Sequence, residues 1–435
     1  MRFVKRITFP STFEIALLLS LVVFICALSW TKPEGASFLV YGYSVLGFWK
    51  AGFWDLLEFT MQMVLILVLG HTLALSQPVD KALRKLSGTI TSNTHAVLLT
   101  GGMAMAGGYL NWGFGLVLGA ILARKIGESA QEKNISINYS LVAASGYLGM
   151  LVWHGGLSGS ATLKVAESGH FLQEVIGMIP IDQTIFSPFN LIVNLILVLL
   201  LLVLMFWLSR KAYRRKKLPS CSSFYMEEAV EEDKTGLVLG SLMAFLVLGE
   251  ILANRGSNWS FVDLNFVNFA LLALGLLFFA SLKSFLSALS HAVKGATDII
   301  IQFPFYAGIL GMMKYSGLLV LLAEDMVGKS GPDTFPFLSF LSAALVNLFV
   351  PSGGGQWAIQ GPVMMEAASK MGLDIPKMIM VFTYGDQLTN MLQPFWALPL
   401  LTITGLPAKE IFKYTLYFFL VAALVFGFSI WMWIS

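Results

Sequence analysis

Asn347–Trp357 reads NLFVPSGGGQW and interrupts a long apolar run. Proline lacks a backbone N–H, and three consecutive glycines cost too much entropy to continue a helix, so the stretch breaks whatever helix enters it. Backbone that is not bonded to itself cannot face lipid and has to line a protein cavity. A second interruption, NWGFG at Asn111–Gly115, lies far upstream in a segment of similar character. Two matching interruptions in two halves of an apolar chain point to the binding site of a membrane carrier.

The rest of the chain supplies the membrane setting. Of 435 residues, 57% are hydrophobic and 12% charged, about half the charge of an ordinary soluble domain. Apolar residues come in long runs rather than helical stripes, which predicts an all-α polytopic membrane protein. A net charge of +3 gives no reason to expect a nucleic acid partner. The two cysteines, Cys26 and Cys221, fall in a span and in a basic loop, so no disulfide framework is implied. Met1–Trp30 has the charge and apolar run of a signal peptide, but no small-residue cleavage site follows Leu28. It is expected to stay as an uncleaved first helix.

Lengths and flanking cations set the topology. Span one covers Phe13–Thr31, and a second ends near Ser76, followed by Lys81, Arg84 and Lys85. The positive-inside rule puts these cations and the N-terminus in the cytoplasm. Residues 96–123 are too long for one span and too short for two, since each needs about 20 residues. Cations flank both ends, so a re-entrant hairpin with its tip near Asn111–Gly115 is predicted. Residues 137–165 form a span broken near His154–Ser160, and Ile185–Leu208 returns to the cytoplasm. Residues 209–234 are a basic then acidic linker, carrying Arg210, Lys211, Arg214, Arg215, Lys216 and Lys217 before Glu227–Asp233.

After the linker come spans near 235–253, Leu264–Leu282 and Ala296–Ala323. A second re-entrant hairpin is expected over 335–370, broken at Pro351–Gly355, and a broken span over 376–405. Ile411–Ile434 is last, ending outside. The expectation is nine transmembrane helices plus two re-entrant hairpins. A shift of 236 in the numbering takes Asn111 to Asn347, Gly119 to Gly355, Gly149 to Gly385 and Ser158 to Pro394. Residue identity at this shift is near chance, but the order of features matches. Residues 1–208 are thus read as one repeat and 254–435 as its inverted copy, with 235–253 as the unpaired span that reverses it.

Four breaks meeting inside the membrane leave unpaired N–H groups at helix N-termini, which favour anions and above all carboxylates. Only Lys164 lies near any break, so a small monoanion fits better than a di- or tricarboxylate. At the first tip, Asn111 either contacts a carboxylate or an ion-bound water, or caps a half-helix. Trp112 and Gly113 stand beside it, Trp112 as ligand contact or as packing. At the first break, Ser158, Gly159, Ser160 and Thr162 suit an unwound stretch lining the site, or hydroxyl contacts between helices.

At the second tip, Ser352, Gly353, Gly354 and Gly355 permit close backbone approach, with Gln356 and Trp357 adding side chains. At the second break, Asp386, Thr389, Asn390 and Gln393 belong to the densest polar cluster in any span. Asp386 is a coupling residue if it lies deep, and an ordinary carboxylate if it lies near the outer surface. Two sodium sites are expected, one from Asn111 with Ser158 and Ser160, one from Asn347 with Thr389 and Asn390. Asp386 and His154 offer a proton route instead. No His/Cys metal spacing, phosphate-binding loop or nucleophile–base arrangement is visible, so neither an enzyme nor an ATP-driven pump is expected, and no cofactor beyond a coupling sodium or proton.

Five stretches then carry a resemblance: NWGFGLVLGA (Asn111–Ala120), GLSGS (Gly156–Ser160), QFPFYAGI (Gln302–Ile309), VPSGGGQWAIQGP (Val350–Pro362) and MLQPFWALP (Met391–Pro399). The chain resembles, nearly end to end, the bacterial short-chain fatty acid uptake transporters that carry acetoacetate and butyrate. The resemblance implies a secondary carrier of the inner membrane for short monocarboxylates. It also implies the two-hairpin, elevator-type design of the larger ion-transporter superfamily, whose members are commonly homodimers. Three positions depart from the family: Gln356 stands where relatives often hold His, His154 where they often hold Gly, and Asp386 where they often hold Glu. The competing readings are a sodium-coupled di- or tricarboxylate symporter and, from another class, an anion channel.

Overall fold

A computed structural model describes residues 12–55, 57–170, 172–213, 233–254, 261, 264–318, 320–321, 324–325, 330–350 and 352–434. Pro351, Cys221, Ala323, the cation run from Arg214 to Lys217 and the acidic run up to Glu232 lie outside them. The described residues are mostly helical and form no strand. In the first half the helices are α1 (Thr12–Trp30), α2 (Phe38–Asp55), α3 (Leu57–Leu75), α4 (Gln77–Gly88), α5 (Asn93–Leu110), α6 (Trp112–Glu132), α7 (Tyr139–Ser145), α8 (Ser160–Ala166), α9 (Gln173–Ile176) and α10 (Pro188–Ser209). The second half has α11 (Thr235–Ala253), α12 (Leu264–Phe279), α13 (Leu282–Val293), α14 (Thr297–Tyr315), α15 (Phe335–Asn347), α16 (Gly353–Lys370), α17 (Ile375–Thr389), α18 (Pro394–Thr404) and α19 (Ala408–Ile434).

Local chemistry sets the helix starts. Ser92, Asn138, Ser187 and Asp374 accept from backbone N–H groups of the first turns of α5, α7, α10 and α17, each such cap being worth about 1 kcal/mol. Pro188 and Pro376 sit in first turns, where the missing N–H costs nothing. Four described helices are long and apolar enough to cross a membrane: Phe13–Trp30, Pro188–Ser209, Thr235–Ala253 and Ala408–Met432. Their large side chains point outward, as Phe245 does at 74% exposure and Leu424 at 73%. Apolar surface on that scale marks a membrane or protein contact, and on helices of this length and hydropathy it fits a membrane.

Two short amphipathic helices, α4 and α13, follow α3 and α12. α3 and α4 meet at a bend of 80°. α4 buries Leu83 and Ser87 and leaves its charges outside, a helix in a stretch read from sequence only as a cation-bearing loop. The first hairpin also exceeds its expected bounds of 96–123. α5 starts at Asn93 and α6 runs on to Glu132. The helix continues past Arg124 and Lys125 because both are paired, Arg124 with Glu128 at 2.7 Å and Lys125 with Asp80.

Glycine lets backbones touch at the centre. A Cβ on Gly115 would meet the backbone of Gly108 and Gly107, so the arms α5 and α6 close onto each other below Asn111. Gly52 of α2 and Gly311 of α14 meet in the same way, the close small-residue contact that packs helices in membranes.

Candidate functional site

Each tip is capped and then docked on the broken helix of its own half. Asn111 ends α5 and caps α6, its Oδ1 accepting from Phe114 N–H at 3.0 Å. Of its two sequence readings, capping is the one this geometry displays. The next N–H, that of Trp112, donates to Ser158 Oγ at 3.0 Å, and Leu157 N–H donates to the Tyr109 carbonyl at 2.8 Å. Among the described residues only Gly113, of the first three N–H groups of α6, lacks an acceptor.

The second tip mirrors this with different residues. Ser352 caps α16, its Oγ accepting from Gly355 N–H at 3.1 Å. Asn347 closes α15, and its Nδ2 donates to Thr389 Oγ1 at 3.0 Å and Asn390 Oδ1 at 2.9 Å. Gln393 Nε2 donates to the Asn347 carbonyl. The Asn347–Thr389–Asn390 side chains thus satisfy one another. The N–H groups of Gly353 and Gly354 have no acceptor among the described residues, and Gly354 is exposed. A Cβ placed on Gly354 would lie 3.7 Å from Ser160 Cβ. Ser160, from the first break, therefore faces the open N-terminus of α16.

The two breaks meet at a buried pair. Asp386 is 1% exposed and lies in the body of α17, not near a surface. Its Oδ2 is 2.6 Å from His154 Nδ1. His154 Nε2 accepts from Ala161 N–H at 3.1 Å, at the start of α8. Nε2 therefore has no proton, and the ring's hydrogen is on Nδ1, donated to Asp386. Trp153 stacks on the imidazole with centroids 4.3 Å apart. A Cβ on Gly353 would meet Trp153 at 2.9 Å, His154 at 3.0 Å and Asp386 Oδ2 at 3.3 Å, so the N-terminus of α16 rests directly on the pair.

The remaining predicted residues take supporting places. Gln356 Nε2 donates to the Ala343 carbonyl at 2.9 Å and to Gln360 Oε1 at 3.0 Å, binding α16 to α15 rather than reaching the exposed side. Trp357 is 1% exposed, its ring 4.9 Å from Phe382. Trp112 packs on Trp396 at 5.0 Å. Gly159 sits so close to the His154 carbonyl that no side chain fits, and Thr162 Oγ1 donates to the Gly159 carbonyl at 3.2 Å. Three residues unforeseen in the sequence also hold the site. Tyr147 OH donates to the Asn390 carbonyl at 2.9 Å across the two halves. Asn190 Nδ2 donates to the Gly155 carbonyl at 2.8 Å while its Oδ1 accepts from Tyr384 OH at 3.0 Å.

A separate cavity of about 690 Å³ lies between α10 and α19, lined by Ile192, Leu200, Val425 and Phe428 with Ser429 as its one hydroxyl. It offers nothing to hold a carboxylate and opens on the lipid-facing side chains. Among the described residues no cluster of three or more His, Cys, Asp or Glu stands ready for a metal ion.

Outward apolar helices around an enclosed polar seam define a helical membrane protein. The short chain fatty acid transporter family matches residues 1–433, and the chain belongs to that family. A protein of Escherichia coli (strain K12) is 37% identical over 98% of this chain and 96% of its own length. One from Haemophilus influenzae is 33% identical over 96% and 94%. Both are named "Putative short-chain fatty acid transporter". Among solved structures, the Alcanivorax borkumensis YdaH transporter aligns with a TM-score of 0.44 at 14% identity, covering 98% of each chain. Neisseria gonorrhoeae MtrF, described within a class of antimetabolite efflux pumps, aligns at 0.42 and 15%, covering 98% of this chain and 96% of its own.

Proposed function

We propose that the chain is a secondary carrier that imports butyrate, acetoacetate or similar small monocarboxylates by cation symport across the bacterial inner membrane. The observation that carries this reading is the N-terminus of α16. Two N–H groups that have no acceptor among the described residues, and the facing Ser160, offer a carboxylate a seat of fixed dipoles. One helix end suits one carboxylate, and a substrate with two or three would leave the others unpaired. A monoanion entering a cell works against the inside-negative potential, at about 2.3 kcal/mol per 100 mV. At least one accompanying cation cancels that charge.

The finer architecture belongs to the same proposal: nine spans, two re-entrant hairpins, an inverted repeat and elevator-type movement with the N-terminus in the cytoplasm. The tip-to-break bonds Trp112–Ser158 and Asn347–Thr389 support joint movement of hairpins and broken helices. Greasy outward faces leave room for a homodimer.

Competition in proteoliposomes tests the substrate class. Excess acetoacetate should suppress uptake of labelled butyrate while succinate leaves it intact, and counterflow should saturate. Suppression by succinate favours the di- or tricarboxylate symporter, and flux without saturation favours a channel.

A further inference from the structure

We propose that Asp386 Oδ1 is the proton site of the carrier, loaded because the substrate carboxylate seats beside it, so that one proton and one monocarboxylate travel together without sodium. This rests on the carboxylate seat at α16 proposed above. Three observations carry it.

First, the hydrogen bonds leave one acceptor for an incoming proton. His154 Nδ1 donates to Asp386 Oδ2, and Nε2 accepts from Ala161 N–H. Protonating the ring would require breaking the Ala161 bond. Asp386 Oδ1 is buried and has no hydrogen-bond partner among the described residues. It takes a proton with every existing bond kept.

Second, the carboxylate seat abuts that same acid. The position of a Cβ on Gly353 is 3.3 Å from Asp386 Oδ2, and the N–H groups of Gly353 and Gly354 have no acceptor among the described residues. A bound carboxylate would place a second negative charge next to Asp386, which is itself 1% exposed. Like charges side by side repel, and one proton shared with the carboxylate relieves that repulsion.

Other charged or titratable groups on the surrounding elements do not answer the charge. Lys164 of α8 pairs with Glu167 at 2.7 Å and is 45% exposed. Lys370 pairs with Glu366 at the far end of α16, and Lys377 with Asp374 at the start of α17. Tyr147 and Tyr384 donate to Asn390 and Asn190, and the Tyr109 hydroxyl is buried without a partner among the described residues. Glu410 accepts from Ser140 at the start of α7.

Third, four of the six side-chain oxygens expected to suit sodium already accept a hydrogen bond. Ser158 Oγ accepts from Trp112 N–H, Asn111 Oδ1 from Phe114 N–H, and Thr389 Oγ1 and Asn390 Oδ1 from Asn347.

The balance is simple. A proton from outside binds Asp386 Oδ1 as the carboxylate binds α16, both leave on the cytoplasmic side, and no net charge crosses. The test uses the full chain in proteoliposomes holding a pH-sensitive dye and fed labelled butyrate, with protein-free vesicles subtracting diffusion of the free acid. The expected result is about one proton per butyrate, unchanged by sodium or by clamping the potential. Asp386→Asn, first checked for an unaltered unfolding midpoint, should lose the proton flux and the rise of uptake on acidification, and Asp386→Glu should restore both. Sodium entering in step with butyrate, or full proton coupling in Asp386→Asn, overturns the assignment. If the wild type moves no butyrate at all, the substrate reading fails and the proton site falls with it. Butyrate movement without protons fails the proton site alone.

Discussion

Gly149 and Gly385 hold the same place in the two halves: each lets its chain close onto a backbone carbonyl, that of Ala104 for Gly149 and that of Phe340 for Gly385. A shift of 236 in the numbering relates both members of the two contacts. A side chain at either glycine would strike backbone, which cannot rotate away.

Gly385→Val is therefore expected to lower stability by at least the cost of overpacking, about 1–3 kcal/mol. Thermal unfolding of purified protein in detergent measures it. Gly102 has open space around its Cα, so Gly102→Ala should hold or raise the midpoint and serves as the control.

The glycines of the second tip should separate blockage from misfolding. Gly354 has room for a side chain beside Ser160, whereas Gly353 touches Trp153 and His154. Gly354→Leu should reach the membrane in normal amounts yet carry no butyrate, the branched chain filling the carboxylate's seat. Gly353→Ala should fall in expression and unfolding midpoint. Normal uptake by Gly354→Leu would show that the tip is only a turn.

Acidification should loosen α4. Asp80 is partly buried, which raises its carboxyl pKa, but Lys125 and Arg84 outweigh burial and hold it below the ordinary value. A lowered folded-state pKa contributes stability above the unfolded-state value, and that contribution is lost as pH falls through the folded one. Asp80 is 23% exposed and its partner Arg84 63%, so solvent screening holds the contribution to at most about 1 kcal/mol. Asp80→Asn should raise hydrogen exchange in α4 near neutral pH and abolish its acid dependence. Unaltered exchange would mean that Ser129 and Lys133, which bond Ser87 and Gly88, suffice.

Asn347 should matter more than its place at a helix end implies. Asn347→Ala strips Thr389 and Asn390 of a buried donor, and an orphaned buried acceptor costs about 1–3 kcal/mol. A denaturant titration should show the loss. Asn138→Ala, which removes the cap of α7 and a bond to Tyr414, makes a comparison at a partly buried site.

Much of this architecture is written in lengths and charges. Residues 335–370 break where two helices end and begin at Asn347 and Gly353, because proline and glycine act locally. Register at the tips is less legible. The shift of 236 pairs Asn111 with Asn347, yet the residue that caps as Asn111 does is Ser352. The connection in the second tip is longer, and a fixed shift cannot follow an insertion. His154 and Asp386 are named together from sequence as a proton route, but their direct contact is not legible there, since 232 residues separate them. Nothing local in either segment points at the other, and only the packing of one half on the other joins them. Gln356 shows the opposite case: its neighbours in sequence are at the tip, while its side chain turns back to Ala343, a direction no sequence pattern carries.

Trp153 lies flat on His154, with 17° between the ring planes. An imidazolium quenches indole emission far more strongly than a neutral imidazole does. The stacked pair is thus a built-in optical gauge, reporting whether charge resides on the ring or on the acid behind it. Emission lost in a Trp153→Phe variant isolates this one indole from the other ten tryptophans of the chain. If butyrate binding leaves that component bright while protons are taken up, the charge has gone to the carboxylate, and the histidine serves as a fixed dipole rather than as a relay.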